Sequence, residues 1–187
     1  MNWRETQDYY RWDIPLLSFQ QILVALWNAN LDGVQQVITA YPELLGADEL
    51  LQTASRPPGH WHRGRGGDVP EDKGRDRQRA AVVTWLITQG ADPNGQSLRR
   101  QDTGLHQAAR FGLTETVRAQ LQHQANPNVQ AKDGATPLHR AARYGYQETM
   151  DALIAGGADA EIADKSGVTP SALLERALRA TGESSDD

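Results

Sequence analysis

The chain has 187 residues, of which 39% are hydrophobic, so it is long enough for one domain or for an array of small units. It has no cysteine, which excludes disulfides, thiolate nucleophiles and cysteine-rich zinc sites, and its net charge of −5 argues against general attraction to nucleic acid or anionic membranes. No apolar run approaches the roughly 18 to 20 residues that cross a bilayer, and we expect a cytoplasmic protein.

Charge is distributed unevenly along the chain. Residues 56–143 hold 14 Lys/Arg against 8 Asp/Glu, whereas the two flanks together hold 5 against 16. The middle of the chain is therefore basic and its ends are acidic.

The N-terminal segment, 1–16, combines acidic residues with the aromatic residues Trp3, Tyr9, Tyr10 and Trp12. A polar tail has no need of aromatic residues. We expect this segment to cover the apolar face at the start of the fold. A partner-binding arm is the alternative.

Two irregular units are predicted next, at 17–47 and 48–98. Ile22 and Ile38 recur as Leu105 and Leu121 at one constant offset, which predicts a helix pair in the first unit. In the second unit we predict an inner helix near 48–55 and an outer helix over 79–89. Between them, 56–77 is rich in Pro and Gly and predicts an inserted loop, either functional or disordered.

Two regular units follow, at 99–131 and 132–164. A single constant offset places Thr103 on Thr136, His106 on His139, and Gly112 on Gly145, among other matches. A partial copy at 165–180 predicts a terminal helix, and 181–187 predicts an acidic tail.

These units resemble the ankyrin repeat. The matching residues are Gly134, Thr136-Pro137-Leu138-His139, Ala141-Ala142, Gly145 and Gly157-Ala158-Asp159. The resemblance implies an all-α solenoid of helix-turn-helix units, with four repeats, a C-terminal capping helix and the inserted loop in repeat 2. It also implies that His106 and His139 are structural, with ring nitrogens bonded to the backbone of the next turn.

In such stacks the turn tips and the solvent side of the inner helices line a concave groove that contacts protein partners. Carried over to this chain, the resemblance implies a set of partner-binding residues: Trp27, Asn28, Arg99, Arg100, Asp102, Arg110, Phe111, Lys132, Asp133, Arg143 and Tyr144. The turn of the last unit adds Lys165, Ser166 and Val168. Trp61, Arg63 and Arg65 of the inserted loop are candidates for extending the rim. Because arginine and aromatic residues alternate, an acidic protein surface is the expected partner.

The expected function is therefore non-catalytic protein binding without a cofactor or metal. Small stand-alone arrays of this kind include adaptors, inhibitors and bacterial immunity proteins that neutralise a toxin, and a direct binder or inhibitor is favoured over an adaptor.

Two alternatives remain open. A metal-dependent enzyme or accessory factor would use the loop from His60 to Asp76, where His60 and His62 precede several carboxylates. Binding of single-stranded nucleic acid would use the same arginine and aromatic residues. The acidic flanks disfavour it.

Overall fold

A computed structural model describes residues 16–46, 50–57 and 70–182, and all regular structure in these residues is helical. The helices are α1 (Leu16–Trp27), α2 (Leu31–Ala40), α3 (Leu50–Ala54), α4 (Pro70–Thr88), α5 (Gly104–Arg110), α6 (Thr114–Gln122), α7 (Pro137–Tyr144), α8 (Gln147–Ala155) and α9 (Pro170–Gly182), with a 3-10 helix at Pro42–Gly46.

The helices stack in two parallel rows. The inner row is α1, α3, α5, α7 and α9, in which each helix packs on the next, and the outer row is α2, α4, α6 and α8. Each inner helix from α1 to α7 also packs against the outer helix that follows it. This arrangement confirms the all-α solenoid, while the repeat boundaries and the number of repeats remain predictions.

The ends of α7 show why these sequences form short helices. Thr136 caps the N-terminus with its hydroxyl, and the ring of His139 reaches back to the cap residue's own backbone N–H. Pro137 occupies the first turn, where its missing N–H costs nothing. Gly145 ends the helix at φ +71°, a left-handed conformation that glycine adopts without strain.

The apolar interior is divided into two clusters by a polar layer. The first cluster lies among α1 to α4 and the second among α5 to α9. Between them, the fully buried Gln120 of α6 donates from Nε2 to Ser55 Oγ at 3.1 Å, and Gln52 of α3 donates to the carbonyl of Gly95 at 2.8 Å.

The outer helix of the second unit is longer than predicted. It begins at Pro70, not at residue 79, so 70–77 of the predicted loop are helical. The reason is packing: α4 extends along α6, the most extensive helix contact in the described structure. The glycine at 74 and the high charge of this stretch hid the helix from the sequence pattern.

Arg79, the first residue of the predicted outer helix, is not available at the surface. It is fully buried, and its Nη1 donates to the carbonyls of Ala54 at 3.2 Å and Arg56 at 2.7 Å, at the end of α3. The guanidinium thus satisfies carbonyls that a helix end leaves without intrahelical partners.

Several predictions lie outside the described residues. These are the N-terminal covering segment at 1–15, the central part of the inserted loop at 58–69, and the tail at 183–187; α9 itself runs two residues past the predicted cap, to Gly182. None of the helices in the described ranges is both long and apolar enough to cross a membrane.

Candidate functional site

The turns between units form a hydrogen-bonded row along one edge of the stack. Within one turn, the amide of Ala131 donates to the carbonyl of Ala135 at 2.9 Å. Between turns, Lys132 N donates to Arg100 O at 2.8 Å, and Lys165 N donates to Asp133 O at 3.1 Å. The turn tips are therefore held in register with one another.

Arg140 of α7 ties two of these turns to the inner helices. Its guanidinium forms a two-point contact with Asp133, at 2.9 and 3.0 Å, and reaches Asp102 Oδ1 at 3.1 Å. Although partial burial acts to raise the pKa of Asp133, hydrogen bonds from the Ala135 amide and from Arg140 hold that pKa below its usual value.

These contacts correct the prediction for Asp102. Its side chain is only 4% exposed, and Gln107 Nε2 donates to its second oxygen at 3.3 Å. Asp102 is thus a structural ion-pair partner in the floor of the site, not a residue that a partner protein reaches. Asp133 remains exposed, but its carboxylate is engaged by Arg140.

Arg110 and Arg143 lie on the face of the inner helices that looks toward the turns. Gln107 and Arg140 mark this face, because their side chains reach the turn carboxylates. Arg110 and Arg143 follow them by three residues, so they project from the same face one helical turn further on. Arg143 is exposed and Arg110 is half-buried.

Apart from Arg140, the cationic side chains of the site form no ion pair with a described residue. Arg99, Arg100 and Lys132 are exposed at the turn tips, and in the described part of the chain neither they nor Arg110 and Arg143 form an ion pair. We call the surface between the turn tips and this face of the inner helices the basic groove. It is lined by Arg99, Arg100, Lys132, Arg110, Arg143 and Arg140.

The predicted aromatic residues are partly buried. Phe111 packs against the second apolar cluster, with the Arg110 guanidinium 5.7 Å from its ring centroid. The rings of Tyr144 and Tyr146 lie 6.1 Å apart. Trp27 is half-buried and Asn28 is exposed, at the end of α1.

The two helix-start histidines are structural, as the resemblance implied. Nε2 of His106 lies 3.0 Å from Ala135 O, and Nε2 of His139 lies 3.0 Å from Val168 O. In each case Nδ1 accepts from the backbone amide of the capping threonine, which assigns the proton to Nε2. Burial lowers the pKa of His106 to about 4 and also lowers that of His139.

The alternative metal site was predicted within residues 60–76. In this range the structure describes the side chains of Arg75 and Asp76. Asp76 is buried, and its carboxylate accepts from the amides of Glu115 and Thr116 at 2.8 and 3.1 Å. Its oxygens are thus committed to the start of α6. His60, Trp61, His62, Arg63 and Arg65 lie outside the described residues, and within the described ranges no three His, Asp or Glu side chains are grouped to hold a metal ion.

Sequence reasoning missed Arg140 of the groove and two exposed residues next to it, Arg176 and Leu98. Arg176 of α9 was detectable, because it follows Arg143 at the same offset by which Arg143 follows Arg110. Leu98 is 52% exposed beside Arg99. No sequence pattern indicated that Leu98 is exposed or that Arg140 contacts two turns.

Comparisons with known proteins agree with the helical-repeat fold. A family model described as ankyrin repeats, in three copies, matches residues 76–164. The chain is 36% identical over 76 residues to the neurogenic locus Notch protein of Drosophila melanogaster, covering 40% of this chain and 3% of the relative. It is 33% identical over 73 residues to the human and the mouse neurogenic locus notch homolog protein 1, covering 38% of this chain and 3% of each relative. The chain thus spans only a small part of the curated relatives it matches.

Proposed function

Because this chain is an ankyrin-repeat protein, and ankyrin repeats are generic protein–protein interaction modules, we propose that it binds an acidic surface of another protein through the basic groove. Binding requires no covalent chemistry. The partner contributes carboxylates, and the groove contributes guanidinium and ammonium groups on a rigid frame.

One observation carries this proposal: a single guanidinium already engages both carboxylates of the groove, whereas most of the groove's cations form no ion pair with a described residue. Asp102 and Asp133 are both held by Arg140. Arg143 and Lys132, in contrast, are exposed and have no ion-pair partner among the described residues. An acidic partner would satisfy these cations without first breaking an internal ion pair, and arginine can do so with two parallel hydrogen bonds.

Rigidity supports the same function. The inter-turn bonds and the Arg140 contacts fix the positions of the turn tips before a partner arrives, which lowers the conformational entropy lost on binding. Half-buried aromatic rings at Phe111 and Tyr144 add apolar contact area beside the charges. An inhibitor that covers an acidic surface, such as a toxin-immunity protein, is one form that this binding would take.

The test is a paired charge reversal. Arg110→Glu combined with Arg143→Glu reverses two groove cations, and Arg77→Glu combined with Arg118→Glu makes the same charge change on the exposed outer helices. Each protein is used as bait in affinity purification with mass spectrometry, after thermal melting has shown that both variants are folded.

We expect the unmodified chain and the outer-helix variant to recover the same partner with an acidic surface, and the groove variant to lose it. Recovery of that partner at the original level by the groove variant would overturn the proposal. Loss by both variants would also overturn it, because the effect would then follow net charge and not the groove.

A further inference from the structure

The turn tips carry a cation at the same place in three successive units. Arg99, Lys132 and Lys165 follow one another at equal intervals along the chain, and all three are exposed. Their register is set by the backbone, because Lys132 N bonds to Arg100 O and Lys165 N bonds to Asp133 O in the same way. The hydrogen bond that closes the first turn, from Ser97 N to Asp102 O, encloses one residue more than in the other two turns. The bond from Lys132 N to Arg100 O still places Arg99 in register with Lys132.

A second set of cations has the same period on the other side of the groove. Arg110, Arg143 and Arg176 occupy equivalent positions on α5, α7 and α9, and these three helices pack side by side. Arg143 and Arg176 are exposed, and neither forms an ion pair with a described residue. The basic groove is therefore bordered by two rows of regularly repeated cations.

The hydrogen bonds give the spacing within the turn-tip row. Each turn brings two backbone segments to the row, and these are joined within the turn by Ala131 N to Ala135 O and by Asp164 N to Val168 O. Adjacent turns are joined by Lys132 N to Arg100 O and by Lys165 N to Asp133 O. If each hydrogen-bonded pair of segments is as far apart as two paired strands, equivalent residues are about 9.6 Å apart, and three of them span about 19 Å.

We infer that the groove takes an extended segment of its partner in the polyproline II conformation, with an acidic residue at every third position. This inference rests on the proposed function and specifies the form of the acidic ligand. In that conformation, residues three apart lie on the same face and are separated by about 9.3 Å, so consecutive carboxylates meet consecutive cations.

Other backbones fit the row less well. Same-face residues of a β-strand recur about every 6.8 Å, which is well short of the cation spacing. On an α-helix, the same-face spacing that comes nearest to the cation spacing is that of residues seven apart, about 10.5 Å. Over two steps this spacing accumulates a mismatch of about 2 Å with the row. A single nucleic-acid strand carries charge at a denser interval than the row. A polyproline II segment also loses little conformational entropy on binding, because it is already stiff.

The experiment uses fluorescently labelled peptides and the full chain. One peptide has four Glu-Pro-Pro units. The second has the same residues with its four glutamates placed consecutively, and the third is an alanine-rich helix with glutamate at every seventh position. Binding is measured by fluorescence anisotropy at an ionic strength of about 0.1 M, with oligothymidylate as a fourth probe.

We expect the Glu-Pro-Pro peptide to bind about tenfold more tightly than either other peptide, which corresponds to three exposed ion pairs made together. Lys132→Gln removes the middle cation of the turn-tip row and is expected to weaken this peptide about fivefold. Arg77→Gln, the matched control on the outer helix, should leave its affinity unchanged.

Each contrary result has a distinct meaning. Equal affinity for all the acidic peptides, or tightest binding to the helical one, overturns the spacing inference and leaves the acidic-partner function standing. Tightest binding to oligothymidylate overturns the inference in favour of nucleic acid. If no acidic peptide binds and the Arg110/Arg143 reversal also leaves capture unaffected, the proposed function itself fails.

Discussion

Asp76 caps a helix to which it does not belong: its Oδ1 accepts from the hydroxyl of Thr116 at 2.6 Å and from the amide of the same residue at 3.1 Å. Asp76 lies on α4 and Thr116 in the first turn of α6. Leu113, the cap residue of α6, makes no side-chain hydrogen bond to that helix. The neighbouring outer helix therefore supplies both the acceptor and the negative charge that favour a helix N-terminus.

Replacing this carboxylate should destabilise the whole stack. Asp76→Ala leaves the amides of Glu115 and Thr116 without an acceptor in a buried setting, and we expect the free energy of unfolding to fall by about 2 kcal/mol. Asp76→Asn should cost less, because its single oxygen can still accept from Thr116. Urea denaturation checks the order of the three proteins, and an alanine variant as stable as the original would show that the cap is dispensable.

Removing the Arg140 guanidinium should lower the free energy of unfolding, because the buried Asp102 carboxylate then has no ion-pair partner among the described residues. Arg140→Gln leaves Asp102 with Gln107 as its remaining side-chain partner, and we expect a loss of about 2 kcal/mol in unfolding free energy. Asp102→Asn in the same chain should recover part of this loss, since the unpaired charge is gone. Arg118→Gln, which breaks an exposed pair with Glu148, is the control and should change stability by less than about 0.5 kcal/mol. Similar losses in the two single variants would contradict the assignment.

Stability should decrease on acidification because of the buried histidines. Burial lowers the pKa of His106 to about 4, whereas in the unfolded chain it is near 6.5. Between these pH values the unfolded chain binds a proton that the folded chain does not, so the free energy of unfolding falls as pH drops from about 6.5 toward 4. The shift corresponds to about 3 kcal/mol for His106, and His139 acts in the same direction.

Thermal melting across this pH range measures the effect. His106→Gln should lower stability at neutral pH and flatten the dependence on pH, because the histidine whose pKa is lowered by burial is then absent. An unchanged slope in the His106 variant would mean that other groups cause the acid sensitivity.

Two equivalent glycines should respond differently to alanine. Both Gly145 and Gly112 have positive φ, at +71° and +65°. A Cβ on Gly145 would meet no atom within 4 Å, so Gly145→Ala carries only the conformational cost of about 1 kcal/mol. A Cβ on Gly112 would lie 2.8 Å from the ring of Tyr146, and Gly112→Ala should cost about 2 kcal/mol or more. Equal urea midpoints for the two variants would argue against this packing at Tyr146.

The regular units were predictable because their information is local. Thr136, Pro137 and Gly145 determine where α7 begins and ends, and the repeat at a constant offset transfers the same reasoning to α5. The histidine role followed from the resemblance and is confirmed by the bonds to Ala135 and Val168. The partner-binding residues as a set stay a prediction.

The irregular second unit was harder to predict for an equally physical reason. The first two turns of α4 contain glycine and mostly charged residues, so neither propensity nor periodicity indicated a helix there. Packing along α6 and the contact from Asp76 are long-range interactions, and a local pattern does not contain them.

By itself, the sequence determined the all-α solenoid and the basic middle of the chain, because capping, helix periodicity and charge are properties of residues near one another. Only the tertiary structure decided which charged residues are available to a partner. Asp102, Arg79 and Asp76 look like surface residues in the sequence, but neighbouring units bury them against unpaired backbone groups or an opposite charge. Arg99, Lys132 and Lys165 remain exposed at the turn tips, which hydrogen bonds between adjacent turns hold in register.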